Sequence, residues 1–474
     1  MKKKIFIIGM GLILICSLTA CENWFDISAK SELKSEDLLS NEQGFRDALM
    51  GCYGAMKSES LYGAQLTMTY MDVLGQYYST ASASLNVFEY ANNYNYTNQK
   101  EEDRKDAIWK KLYNVVANTN SLLEQIDGKK SVFPVHEYEL IKGEAQGLRA
   151  FLHFDLLRLF AFAPSMNGGL QKAAIPYVDK FTNTTFAQLT VEAVLSRIVE
   201  DLKAARELLK DVDPYGPDHA RYNLKGLTGV WKGREYRMNY YAVTALLARV
   251  CLYRNLGDDR EQAFRLAKEV IDSHLFPLIT SADVGGTDKN GFVQENIFAL
   301  ESKELYDNVV KRYFYAANTS SSYLATTRKQ MEKVFPATLD MDYRRLWWIE
   351  ATGSYHILSK YNSSKRVPLL KVSEMYLIAA ETAANITEGA KFFNMLQYRR
   401  GLPDEEITEE NLHDKILAEY AKEFIGEGQL FYAYKRLRNS VTPINQMAVT
   451  APEKVYVLPL PVTNTYFKND SYEK

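Results

Sequence analysis

The sequence predicts a mainly α-helical protein: tetratricopeptide-like helix pairs with a long-loop, mostly irregular remainder. Three observations carry this. Apolar residues recur at helical spacing along most of the chain. Neighbouring helices form pairs in which one member carries small residues for close crossing. Long inserts without clear period, 211–237, 276–330 and 331–367, separate the pairs.

The chain opens on Lys2, Lys3 and Lys4, an apolar run over 5–18, and then Leu18, Thr19, Ala20 and Cys21. That order is the anatomy of a secretory signal. The run is shorter than the roughly 20 residues a membrane-crossing helix needs. A cysteine at the cut site implies cleavage before Cys21 and lipidation of its thiol. The alternatives are an ordinary signal peptide with an incidental cysteine, or an uncleaved anchor. The expected organisation is a signal peptide over 1–20, a lipidated tether over 21–40, an N-terminal helix-pair part over 41–275, and a C-terminal part over 276–474 with a loop-rich insert at 276–367.

Ser40, with Gln43 three residues on, fits a capping box for a helix through Phe45, Leu49, Cys52, Tyr53 and Met56. A further helix is expected to begin within 70–78. The stretch 79–99 is rich in Ser, Asn and Tyr and reads as a long exposed loop, a frequent seat of function. Ile108, Leu112, Val115, Leu122 and Ile126 mark one face of the next helix, which Gly128 stops. Its partner spans 137–162, where Gly143, Ala145, Gly147 and Ala150 permit close crossing. Helices follow over 191–209, 239–254, 261–273, 372–384, 390–400 and 412–437.

Composition narrows the function. Lys and Arg number 57 against 59 Asp and Glu, a formal net charge of −2. The leader would remove three lysines and leave the mature chain more acidic. Nucleic-acid binding, which rests on clustered basic residues, does not fit. Cys52 and Cys251 read as buried small hydrophobes, with a long-range disulfide as the alternative. The unusual feature is aromatic: 32 Tyr, 22 Phe and 5 Trp. Tyrosine joins a flat apolar face to a polar tip and suits wet binding surfaces as well as cores.

No motif for catalysis, metal or cofactor emerges: no H-E-x-x-H, nucleophile elbow, phosphate loop or dinucleotide fingerprint. Glu374 and Glu381, seven apart on one helix face, lie roughly 10.5 Å apart along the axis. Glycosidase carboxyls usually sit closer, across an open cleft. Structural ion pairs with basic neighbours such as Arg366 and Lys371 account for them better. Arg344 and Arg345 read likewise as anchors for the insert. The expected protein is not an enzyme and needs no cofactor.

Several segments, taken together and in order, resemble the SusD/RagB family of outer-membrane lipoproteins. They are the Cys21 leader, NEQGFRDAL at 41–49 reaching Tyr53, RAFLHFDL at 149–156, VPLLKVSEMYLIAAE at 367–381, the helix over 423–436 with Gly428, Gln429, Tyr432 and Lys435, and VLPLP at 457–461. Phe160, Ala161 and Phe162 depart from the Tyr and Gly usual there. The resemblance implies about four tetratricopeptide-like units and a cell-surface, lipid-anchored protein at the outer membrane. It further implies that the protein captures oligosaccharides and delivers them to a TonB-dependent SusC-like transporter. A peptide-binding RagB-like receptor and a helical-repeat scaffold lipoprotein are the other readings.

A sugar site needs flat aromatic faces beside amide and acid groups. Asn86, Tyr90, Tyr94 and Tyr96, with Tyr77 and Tyr78 just before them, supply that mixture as one wall. Tyr313, Tyr315 and Tyr323 form a second candidate wall. Of the adjacent Trp347 and Trp348 one is expected in the core, leaving Trp347 as a contact. Trp231, in a Gly-rich turn, is the third candidate. The same rings could instead pack loops onto the body or meet a transporter.

Overall fold

The computed structural model describes residues 38–78, 86–283, 291–315, 321–437, 444 and 448–461. The expected signal peptide, Cys21, most of the expected tether and residues 79–85 lie outside the described residues.

Helix α1 (Glu42–Met56) starts at Asn41, whose side chain accepts from the Gly44 amide at 3.1 Å. The cap is therefore one residue later than Ser40. Gln43 turns outward to Asp47 at 2.8 Å instead of closing a box. Short α2 (Tyr70–Leu74) and α3 (Glu89–Asn92) precede the long α4 (Gln99–Ile126) and α5 (Glu137–Phe160). A hairpin of β1 (Ala173–Pro176) and β2 (Gln188–Thr190) leads into α6 (Val191–Leu209), which Thr190 caps at 3.2 Å. Asn239 caps α7 (Tyr240–Arg254) by accepting from Ala242 N–H at 2.8 Å, and α8 (Asp259–Asp272) follows.

These helices stack in series: α1 on α4, α4 on α5, α5 on α6, α6 on α7 and α7 on α8. α8 then meets α12 (Val372–Thr382), which pairs with α13 (Ile386–Arg399). The small residues do what their spacing implied. A Cβ on Gly143 would stand 2.7 Å from Leu209 Cγ, and one on Gly147 2.5 Å from Met238 Cγ. Any side chain there would push α6 or the start of α7 away. Cys52 and Cys251 are free thiols, both buried in this core, and burial pushes each thiol up to about 12.

The insert is more ordered than its sequence suggests. β3 (Asn296–Glu301) pairs antiparallel with β7 (Arg366–Lys371), far along the chain. Between them lie α9 (Lys311–Tyr313), β4 (Thr326–Thr327), α10 (Arg328–Val334), α11 (Tyr343–Trp348), β5 (Ile349–Thr352) and β6 (Tyr355–Leu358). The three strands form a sheet in the order β4-β6-β5. Partners this remote leave no local period to read.

The expected single helix over 412–437 is two: α14 (Leu412–Glu423) and α15 (Leu430–Leu437). Between them Gly426 (φ 81°) and Gly428 (φ 70°) adopt a left-handed backbone that glycine tolerates best. Asp72, from α2, receives both their amides, at 2.6 and 3.0 Å. The turn is thus held by a residue distant in sequence. Helix α16 (Pro452–Tyr456) closes the described chain against α15.

A buried charge network anchors the insert. Arg344 bonds Asp342, Glu419 and Glu423, and Arg400 bridges Glu295 and Glu423. Lys371 reaches Glu423 at 2.8 Å. All these side chains are wholly buried. Burial alone would raise the Glu423 carboxyl, but the charges of Arg400 and Lys371 hold it well below the usual range. Among the described residues, no helix is long and apolar enough to cross a membrane.

Candidate functional site

The two aromatic walls meet. The Asn86 amide donates to the Tyr323 carbonyl at 3.0 Å, and Val87 N–H donates to the Ser321 carbonyl at 2.9 Å. The Phe88 ring lies 6.0 Å from that of Tyr313, and Tyr78 lies 5.8 Å from Phe314. Thr326 Oγ1 donates to the Tyr77 carbonyl at 2.7 Å. Arg104, which sequence reasoning missed, props this seam from α4. Its guanidinium lies 4.5 Å from the Phe88 centroid and donates to the Val87 carbonyl at 2.8 Å. A lone arginine on a helix carries no signal for such a role.

Making the seam consumes many of the expected contacts. Tyr77, Tyr78, Asn86, Tyr96 and Tyr313 are buried, so they offer no open face. Tyr77 donates to the Ala421 carbonyl at 2.6 Å, Tyr78 to the Met68 carbonyl at 3.3 Å, and Tyr96 to the Val455 carbonyl at 2.7 Å. Tyr313 donates to Glu59 at 2.8 Å, and it ends a helical turn rather than alternating on a strand. Each polar tip finds a partner on the body and each ring fills core, which is the packing alternative. Tyr94 is half-buried and pinned by a 2.8 Å bond to the Leu74 carbonyl. The stretch expected to be an exposed loop therefore contains α3 and seals the body.

Tyr90, Tyr323 and Trp347 remain half-exposed, and Tyr315 is 51% exposed. Sheet register relates two of them. Thr326 pairs with His356, and His356 pairs with Ala351, so β4 and β5 run parallel on either side of β6. Tyr323 precedes β4 by three residues, and Trp347 precedes β5 by two. Both therefore enter the sheet from the same end, Tyr323 from extended chain and Trp347 from the last turn of α11, into strands about 9.5 Å apart. Trp348 is buried, with the Lys360 ammonium 3.7 Å from its ring centroid, and Trp347 takes the outer side. Trp231 lies elsewhere: the turn that follows it, Arg234–Tyr236, packs on β3.

Polar groups flank this end. Burial, and then the Glu350 charge, raise the Tyr323 hydroxyl. Arg345 reaches the His356 ring at 3.4 Å. Burial and the Arg345 and Arg328 charges lower His356, which favours the neutral imidazole. The arrangement supplies an acid, Glu350, near the Tyr323 ring, while His356 is buried and its ring faces Arg345. It suits stacking and hydrogen bonding.

The carboxylates weighed as a hydrolytic pair are ion-paired. Glu374 bonds Arg249 at 2.7 and 2.5 Å, and Glu381 bonds Arg436 at 2.6 and 2.7 Å. Their partners come from α7 and α15. Arg366 instead stacks 5.0 Å from the Tyr236 ring, and Lys371 joins the Glu423 network. Burial would raise Glu381, but Arg436 more than offsets it and holds the carboxyl low, unsuited to a general acid. Among the described residues, no group of three or more His, Cys, Asp or Glu is placed to hold a metal ion.

Comparison with known proteins agrees with this architecture. The family model "Starch-binding associating with outer membrane" matches residues 23–218, and "SusD family" matches residues 341–473. The chain belongs to the SusD/RagB family. It is 27% identical to SusD-like protein P25 of Formosa agariphila over 217 residues, 44% of this chain and 39% of that protein. It is 21% identical to SusD-like protein P2 of the same organism, with 95% of each chain covered. A SusD superfamily protein from Bacteroides thetaiotaomicron superposes with a TM-score of 0.70 at 20% identity, covering 90% of this chain and 98% of that one. A SusD-like carbohydrate binding protein from Bacteroides vulgatus gives 0.69 at 17%, covering 92% and 100%. At these identities the likeness concerns the fold.

Proposed function

We propose that this protein captures oligosaccharides by stacking them on Tyr323 and Trp347, with Tyr90 and Tyr315 on the flanks and Glu350 and Arg345 as hydrogen-bonding groups. The observation that carries the reading is the seam from Asn86 to Tyr323. It fixes two distant loops into one frame, with Tyr323 and Trp347 half-exposed at one end of the β4-β6-β5 sheet. A preformed site avoids the ordering cost that weakens binding by mobile loops. The family match, and the carbohydrate-binding description of the Bacteroides vulgatus relative, support the same cargo.

The protein carries out nutrient uptake without bond cleavage. Cys21 bears the lipid that holds it at the outer membrane, where acyl chains contribute roughly 0.8 kcal/mol per buried methylene. Cargo passes to a TonB-dependent SusC-like transporter. Titration calorimetry against oligosaccharide and peptide libraries tests the cargo. Saturable heats with oligosaccharides are expected; a response to peptides alone retires the glycan reading.

A further inference from the structure

A groove of about 570 Å³ lies between α7, α8 and the turn around Pro217 and His219. Its volume falls in the range of small-ligand sites, and these elements contribute nothing to the ring-lined end of the β4-β6-β5 sheet. Tyr241 and Phe264 give it apolar faces. The Phe264 ring stands edge-on to Phe392 at 5.8 Å and is half-buried, so part of it stays open to the groove.

Tyr241 also supplies a polar group aimed into this space. It is only 4% exposed, but the surface it keeps includes its hydroxyl, which has no hydrogen-bond partner among the described residues. Its neighbour Tyr240, by contrast, donates to Glu269 at 2.7 Å. Burial and the Glu269 charge push the Tyr241 hydroxyl up to about 12, so it stays a donor.

Most charges at the rim cancel. Lys268 pairs with Asp272 at 2.5 Å, and Glu269 with Arg206 at 2.6 Å. Arg265 adds a guanidinium fork. His219 donates through Nδ1–H to the Gly216 carbonyl at 3.0 Å, which leaves Nε2 unpartnered among the described residues. A free anion would meet Asp272 and Glu269, and a wholly apolar ligand would cover polar groups without pairing them. Sugar hydroxyls both donate and accept, and the C–H face of a sugar ring fits an aromatic one.

We propose that this groove is a second saccharide site, which seats one neutral sugar unit against Phe264 with its hydroxyls on Tyr241, Arg265 and Asp272. The full mature protein is titrated with the methyl glycosides of glucose, galactose, mannose and xylose, and with triglycine as a peptide control, while NMR follows the imidazole signals. The His219 signal, identified by its loss in His219→Gln, should shift saturably with at least one glycoside and not with triglycine. Tyr241→Phe should weaken that binding several-fold without moving the melting temperature, because the hydroxyl it removes has no partner to lose. Phe264→Leu, which keeps bulk but no flat face, should weaken it as well. No saturable shift with any glycoside, a matching shift with triglycine, or undiminished affinity in both variants overturns the assignment. Trp347→Ala should abolish capture at the sheet end and leave the His219 response unchanged, so either site can fail without the other.

Discussion

The side-chain amide of Asn86 donates to the backbone carbonyl of Tyr323 at 3.0 Å, across a sequence separation of 237 residues. The Asn86 oxygen meanwhile accepts from Phe88 N–H at 2.9 Å. One buried side chain therefore shapes its own loop and ties it to another. Asn86→Ala removes both bonds and strands buried backbone groups. The expected loss is about 1–3 kcal/mol of stability, with weaker oligosaccharide binding at temperatures where the variant is still folded. Denaturant unfolding and calorimetry check the two effects separately.

Ring exposure separates binding residues from packing residues. Trp347→Ala and Tyr323→Ala should each lower oligosaccharide affinity about tenfold or more, since aromatic faces carry much of the contact energy. Tyr77→Phe should leave affinity unchanged and cost about 1 kcal/mol of stability through its lost bond to the Ala421 carbonyl. Equal affinity losses in all three variants would contradict the division.

His153 predicts acid sensitivity. Its Nδ1–H donates to the Arg149 carbonyl at 2.9 Å, and its Nε2 accepts from Val178 N–H at 3.0 Å, so the buried ring is held neutral. Burial pushes it down to about 3, from 6.5. A depressed folded-state pKa means the stability is fully present above the unfolded pKa. It is lost as pH falls from about 6.5 towards 3, amounting to about 2 kcal/mol between pH 7 and pH 5. Melting curves over that range should show the slope. His153→Gln should flatten it while lowering stability at pH 7.

Glu423 sits at the centre of the buried network, facing Arg344, Arg400 and Lys371. Glu423→Ala leaves those cations uncompensated and should cost about 3–5 kcal/mol. Glu423→Gln keeps the shape and some bonds, and should cost less. Chemical denaturation ranks them; an equal, small effect of both would show the network to be unimportant.

The helical body was legible because its signal is local. Leu195, Ile198 and Leu202 recur at 3.6-residue spacing, and Gly143 and Gly147 mark the close crossing. The break between α14 and α15 is marked by Gly426 and Gly428 but masked by the apolar positions on either side, and the turn itself depends on Asp72, distant in sequence, accepting from both glycine amides. The walls around Tyr90 and Tyr323 could be suspected from composition, but not their junction, which rests on Asn86. Nor could composition separate Tyr313, buried against Glu59, from Tyr315, exposed two residues later. Exposure of single rings is set by tertiary contacts.

The most direct test follows the indole N–H resonances of the five tryptophans as an oligosaccharide that binds in calorimetry is added. Capture at the end of the β4-β6-β5 sheet predicts that the Trp347 signal shifts saturably while those of buried Trp109 and Trp348 stay in place. Saturation of binding with an unmoved Trp347 signal would contradict the account.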